Sequence, residues 1–344
     1  MKLYNYNEKL DENYNLEEIS SESLNKNSAR KFVLTYDSPF KTGIKENDIV
    51  YSELFLSPDQ ISQNYDFNQL IILVHGFNSK IDRLKNYYHF IDRVLQNNIS
   101  CLFINLPYHL YRTPEGDNSG QRLMGSDDIG TINFFHQAVL DIRKAIDFIK
   151  NNFSERKFTF SICGISLGGM VSVITMAWEK RIKKGAFLLC GGNWDEIYWN
   201  GIIKIILRGD IVKREKITRE QASKFYSELP EFIAIYKKIN PPSIDIELEN
   251  YPELQKFTPK KWFLCDPLTF SHKIRADDVL MINSNFDFFF NKESVLQLWK
   301  ELGNPKLYWL NNFHTSAVLA SRRVQNLIFN LILPNGNINK ENKN

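Results

Sequence analysis

The chain has 344 residues, 43% of them hydrophobic and 24% charged, enough for one large domain or two small ones. A core of that size needs neither disulfides nor a structural metal. The formal net charge is +3, with Lys and Arg interspersed among Asp and Glu, which excludes the concentrated basic stripe of a nucleic-acid-binding surface.

Four cysteines, Cys101, Cys163, Cys190 and Cys265, match no zinc or redox spacing, and three of them lie in apolar runs. They read as small core residues of a reducing compartment. Met1 to Leu10 carries no apolar secretory core, and no run approaches the ~18 apolar residues that span a bilayer. A cytoplasmic protein without a transmembrane segment is expected.

Residues 1–29 are rich in Asn, Glu and Ser and read as a polar extension; residues 335–344 are a polar tail. Between them, strands are expected at 31–36 and 49–56, and at 69–74, where the run QLIILV is bounded by His-Gly. Ile81, Leu84, Tyr88, Ile91 and Leu95 then recur at helical spacing. A strand at 100–106 stops at Pro107, and a long polar loop runs from Tyr108 to Gly130. The clearest helix follows, with Phe134, Phe135, Ala138, Val139, Ile142, Ala145, Ile146 and Ile149 on one face. Further strands are expected at 157–163, 185–190, 278–283 and 306–310. Helices are expected from Gly169, over 292–302 and from Ser316.

Strands alternating with amphipathic helices predict a mainly parallel twisted sheet covered on both faces, with chemistry at the carboxyl ends of its strands. The alternation is interrupted over about 195–262, which reads as a helical lid inserted into a domain spanning 30–334. There Thr218 and Gln221 have capping-box spacing, Ile202–Leu207 is apolar but for Lys204, and Pro241-Pro242 breaks the helical pattern.

The chemistry is expected at Gly164-Ile165-Ser166-Leu167-Gly168, a G-x-S-x-G turn between an apolar strand and a helix of small and apolar residues. In that context the serine is held exposed on a strained bend, and side chains at Gly164 or Gly168 would clash across it. The following helix aims its amide groups at the reacting oxygen. Backbone donors for an oxyanion are expected at Phe77, in the His75-Gly76-Phe77 loop, and at Leu167. Gly76 lets that backbone approach the substrate, and His75 reads as a residue that positions the loop by hydrogen bonding.

A serine nucleophile needs a base. Of six histidines, His314 alone lies in a loop after the last strand and ahead of the closing helix. His89 and His136 sit in helical patterns, and His272 precedes a strand at its far end. The acid that orients the base is expected at Asp287, after strand 278–283, with Asp195 as rival. The order Ser, Asp, His is the one such a sheet requires.

The motifs LIILVHGF, CGISLGG, VLMINSNFD and NNFHTSAVL occur in the order and spacing of the α/β-hydrolase superfamily, which the chain resembles from about residue 31 to 333. The segment INLPYHLYRTPEGDNSG with QAVLDIRKAIDFI resembles a poorly described bacterial subgroup of esterase-like hydrolases. The resemblance implies a Ser166–Asp287–His314 triad, the two backbone donors and no cofactor. Two departures stand out: Asn311-Asn312-Phe313 where many relatives have glycine, and Phe288-Phe289-Phe290 after the acid. Asparagine can take left-handed backbone angles, so the turn remains open to this sequence.

The activity expected is hydrolysis of a small carboxylic ester through an acyl-enzyme. Amide cleavage, acyl transfer and an inactive binding scaffold are the alternatives. Trp194 and Trp199 are candidates to line an apolar acyl pocket, and His109, Arg112 and Arg122 to touch substrate, the arginines through a carboxylate or phosphate. No metal site is expected, and oligomeric state is not legible.

Overall fold

The structure is a computed structural model, and it describes residues 1–7, 13–19, 29–58, 68–124, 128–200, 218–257 and 261–333. The strands in chain order are β1 (Lys2–Leu3), β2 (Tyr14–Ile19), β3 (Arg30–Asp37), β4 (Ile49–Leu56), β5 (Gln69–Val74), β6 (Ser100–Ile104), β7 (Thr159–Ile165), β8 (Ile182–Leu188), β9 (Ile244–Asp245), β10 (Val279–Phe286) and β11 (Lys306–Phe313). Nine of them form one sheet in the order β11-β10-β8-β7-β5-β6-β4-β3-β2. From β11 to β6 all neighbours are parallel; β4 is antiparallel to β6 and β3, and β2 is antiparallel to β3. Part of the polar N-terminal extension is therefore an edge strand, and β1 pairs with β9 in a separate ribbon.

The unbroken apolar run of β5 follows from burial on both faces. Leu70, Ile72 and Val74 face the core beneath the long helix Asp128–Asn152 and the helix Leu167–Trp178. Ile71 and Leu73 point the other way, into a core shared with Phe90 and Val94 of the helix Lys85–Gln96 and Ile328 and Phe329 of the helix Arg322–Ile332. The period of two sends successive side chains to opposite layers.

Two local expectations shift. Ile81 lies in a 3-10 turn and is exposed, so the buried face of the next helix is Tyr87, Phe90, Ile91, Val94 and Leu95, with Tyr87 in place of Tyr88. The closing helix begins at Arg322, after a 3-10 turn over Ser316–Ala320.

Within the insertion, helices span Trp194–Asn200, Arg219–Ser227, Leu229–Ile239 and Pro252–Gln255. Thr218 accepts from the Gln221 N–H at 3.2 Å, while the Gln221 side chain accepts from the Thr218 N–H at 2.8 Å, so the capping box forms in full. The helix before Pro241 ends on Asn240, whose φ is 41°. The run Ile202–Leu207 and the tail 335–344 lie outside the described residues. Among the described residues, no helix is long and apolar enough to cross a membrane.

Candidate active site

Register decides what meets at the sheet rim. Val74 pairs with both Ile104 and Gly164, Ile165 with Leu188, and Leu188 with Ile282. The residues that follow these strand ends, His75 and Ser166 among them, therefore emerge on one line. β10 and β11 run on past it, with Phe286 opposite Phe313. Asp287 and His314, each the next residue along, are neighbours for that reason.

A bulge sets this register. Ser284 lies opposite Leu310, yet Phe286 lies opposite Phe313, so Asn311 and Asn312 take up an extra position. The Ser284 hydroxyl donates to the Asn312 carbonyl, and Asn285 donates to the Asn311 side chain at 2.7 Å. Neither asparagine has positive φ, so left-handed angles at 311 and 312 are not how this turn is made.

Ser166 has φ 58° and ψ −123°, a strained conformation for a residue with a Cβ. Its N–H donates to the Leu188 carbonyl at 2.9 Å, which holds the bend to the sheet. Ser166 stands at the N-cap of helix Leu167–Trp178, but its hydroxyl makes no capping bond. It lies instead 2.8 Å from His314 Nε2, while His314 Nδ1 is 2.7 Å from Asp287 Oδ2.

The other carboxylate oxygen of Asp287 accepts from the backbone N–H groups of Phe289 and Phe290, at 2.8 and 3.0 Å. The two phenyl rings flank the imidazole, their centroids 4.6 and 5.8 Å from it. The Phe-Phe-Phe departure thus supplies both the amides that fix the carboxylate and the rings that wall the histidine. The rival acid, Asp195, is engaged with Ser223 at 3.0 Å.

The glycines of the turn are required by space. A Cβ on Gly164 would come 2.2 Å from the Gly168 carbonyl oxygen, and one on Gly168 would come 2.4 Å from the carbonyl oxygens of both Val74 and His75. A Cβ on Gly76 would stand 3.3 Å from that of Ser166, so the loop after β5 lies against the serine.

That loop is tied at several points. The Gly76 N–H donates to the Tyr87 hydroxyl at 3.1 Å, and Ser79 donates to the Gly76 carbonyl at 2.9 Å. His75 is fully buried, and burial, with His109 nearby, pushes its pKa down to about 3. As a neutral ring it donates from Nδ1 to the Gly76 carbonyl at 2.8 Å and accepts the Leu106 N–H on Nε2 at 3.0 Å. It thereby bonds the loop after β5 to the loop after β6. The N–H groups of Phe77 and Leu167 have no acceptor among the described residues.

A cavity of about 600 Å³ opens over Ser166 and His314. Apolar side chains of Phe77, Ile165, Leu167, Met170, Trp194 and Ile197 form much of its wall. Trp194, on the first helix of the insertion, borders the cavity, whereas Trp199 does not and packs against the core.

The three polar candidates are corrected. Arg112 is fully buried, bound to Asp141 at 2.8 Å and to the carbonyls of Asn47 and Asn105. Arg122 is at the surface, bound to Asp117 at 2.5 Å, and does not line the cavity. His109 is buried beneath Phe77, donates to the Pro107 carbonyl at 2.7 Å, and is held down to about 4, chiefly by burial. Within the polar loop, His109 and Arg112 turn inward, and Arg112 serves a buried carboxylate.

Among the cavity residues that escaped the sequence reading are Tyr87 and Arg83. Tyr87 was legible only as a second tyrosine beside Tyr88; Arg83 follows the loop by a few residues and sits exposed in the turn Ile81–Arg83. Among the described residues, no group of three or more His, Cys, Asp or Glu side chains is arranged to hold a metal ion.

No protein-family model matches the sequence. A curated relative, the "Uncharacterized protein YdjC" of Bacillus subtilis (strain 168), is 30% identical over 76 residues, which are 22% of this chain and 62% of that protein. The chain thus spans less than two thirds of that relative's length. Among solved structures, the acetyl xylan esterase from Paenibacillus sp. R4 superposes with a TM-score of 0.55 at 14% identity, covering 88% of this chain and 83% of that one. The zinc-bound form of a cold-adapted esterase from an Arctic intertidal metagenomic library gives 0.51 at 14% identity, covering 93% and 100%. At such identities the likeness is one of fold.

Proposed function

We propose that this chain, an α/β-hydrolase by fold, is a serine hydrolase of carboxylic esters, with Ser166 as nucleophile, His314 as base and Asp287 as the acid that orients it. One observation carries the reading: the Ser166 hydroxyl is 2.8 Å from His314 Nε2, while Nδ1 of the same ring is 2.7 Å from Asp287. A serine hydroxyl bonded to a carboxylate-anchored imidazole is arranged for proton transfer as it attacks.

In the reaction, His314 Nε2 takes the Ser166 proton as Oγ bonds to the ester carbonyl carbon. Asp287 keeps the Nδ1–H tautomer in place and stabilises the imidazolium. The developing oxyanion is met by the N–H groups of Phe77 and Leu167, the latter in the first turn of a helix whose positive end faces the site. The Gly76 N–H is already given to Tyr87, which leaves Phe77 as the donor of that loop. His314 then protonates the departing alcohol, the acyl group remains on Ser166, and water activated by His314 releases the acid.

The test is a fluorophosphonate probe with hydrolysis of p-nitrophenyl butyrate. Covalent labelling of Ser166, located by peptide mapping, together with ester turnover is the expected result. An unlabelled serine in a protein without ester turnover would sink the assignment.

The loop anchor gives a second expectation. Tyr87→Phe leaves the Gly76 N–H without its partner and loosens the loop that carries Phe77. On the order of tenfold loss in kcat with little change in KM is expected, because an oxyanion donor acts mainly in the transition state. A rise in KM at constant kcat would show instead that Tyr87 serves substrate binding.

A further inference from the structure

We propose that the substrate is an ester carrying a second, anionic group, and that Arg83 selects for it. This rests on the esterase reading of Ser166 and adds the substrate class. The cavity is divided in chemistry. Ile165, Met170, Ile197 and Phe290 are buried apolar walls, whereas Arg83 borders the same space from an exposed turn. Among the residues that line it, Arg83 carries the one permanent charge, and no Asp or Glu is present. An exposed cation bordering an apolar cavity whose lining holds no Asp or Glu draws anions toward it, most strongly at low salt.

Arg83 also lacks an internal role. Arg112 is held by Asp141, Arg122 by Asp117 and Arg143 by Glu179. The guanidinium of Arg83 makes no hydrogen bond or ion pair among the described residues. Its backbone is fixed, with the Arg83 N–H donated to the Lys80 carbonyl at 2.9 Å and the next residue, Leu84, buried. The charge thus stands on the turn that follows the Phe77 loop, with its planar fork of donors available to a carboxylate. An apolar middle, a reacting carbonyl at Ser166 and an anionic end at Arg83 describe the ligand that fits.

The anionic group can belong to the acyl part or to the alcohol part, and matched ester pairs separate them. The acyl pair is p-nitrophenyl hydrogen glutarate against p-nitrophenyl pentanoate. The alcohol pair is 4-carboxyphenyl butyrate against phenyl butyrate. In one of the pairs kcat/KM is expected to favour the anionic ester by about fivefold or more at low salt, and added salt should erode that preference. The ratio should collapse in Arg83→Gln, invert in Arg83→Glu and persist in Arg83→Lys. A ratio in both pairs that Arg83→Gln leaves unchanged overturns the proposal.

Binding provides a readout free of turnover. Ser166→Ala protein should bind monomethyl glutarate more tightly than dimethyl glutarate by calorimetry, and adding Arg83→Gln should abolish the difference. Equal binding of these two compounds by Ser166→Ala protein, together with equal binding of 4-carboxyphenyl butyrate and phenyl butyrate, also overturns it. Selective binding of the anion in a protein that hydrolyses no ester would support the anion site while counting against the esterase reading alone.

Discussion

Replacing Ser166 by alanine is expected to lower kcat for p-nitrophenyl butyrate by on the order of 10⁴- to 10⁶-fold with little change in KM. The hydroxyl becomes a bonded atom only on the way to the tetrahedral intermediate, so its removal is felt at the barrier and not in the ground-state complex. Alanine keeps the helix start, the Ser166 backbone bond to Leu188 and the glycine contacts around the turn, so the melting temperature should move little. Combining it with His314→Ala is expected to cost hardly more than either change alone, because in the proposed mechanism the two side chains perform one proton transfer between them. Independent, multiplying losses would mean that His314 acts on something other than Ser166. A Ser166→Ala protein with kcat near that of the parent would remove the serine from the chemistry altogether.

Much of this site was legible because its parts are anchored to apolar strands. β4 and β5 begin and end at the expected residues, and the serine turn follows a strand buried along all but its first residue. What escaped was set by pairing. The carboxyl ends of β10 and β11 are polar, with Asn283 to Asn285 and Asn311 to Asn312, so hydropathy stops them at 283 and 310. They continue to Phe286 and Phe313 because each supplies the other's backbone partners. No local propensity records that. The same holds for the amides of Phe289 and Phe290, whose value depends on where the Asp287 carboxylate points.

The loop 108–130 misled for a different reason. Its composition is polar, and polar loops run over surfaces. One signal pointed inward: Asp141 shares a helix face with Ala138 and Ala145, in the middle of an otherwise apolar pattern. A carboxylate there needs a cation, and the nearby loop provides Arg112.

That pairing leads to the largest stability change expected in the molecule. Arg112 and Asp141 have side-chain exposures of 0% and 1%, so neither reaches water. Arg112→Met removes the cation bonded to the carboxylate but leaves the carboxylate buried, with Ser38 donating to it at 2.6 Å and the more weakly coupled charge of Lys144 nearby. The Asn47 and Asn105 carbonyls lose their guanidinium donors as well. A loss of about 3–5 kcal/mol in unfolding free energy is expected, the cost of a buried charge stripped of its partner.

The pH dependence has a definite sign. Burial already raises the Asp141 pKa in the folded protein, and Arg112 opposes that rise. Without Arg112 the folded value climbs further above the unfolded one. The folded variant then takes up a proton before the unfolded chain does, and it recovers stability as pH falls toward the unfolded carboxylate value. The deficit relative to the parent should therefore be greatest at neutral pH and shrink on acidification, as read from urea midpoints at several pH values. The double variant Arg112→Met, Asp141→Leu should be less damaged than Arg112→Met alone, since it buries no orphaned charge. A pH-independent loss, or a double variant worse than the sum of its parts, would mean that packing and backbone donation, rather than charge compensation, make Arg112 indispensable.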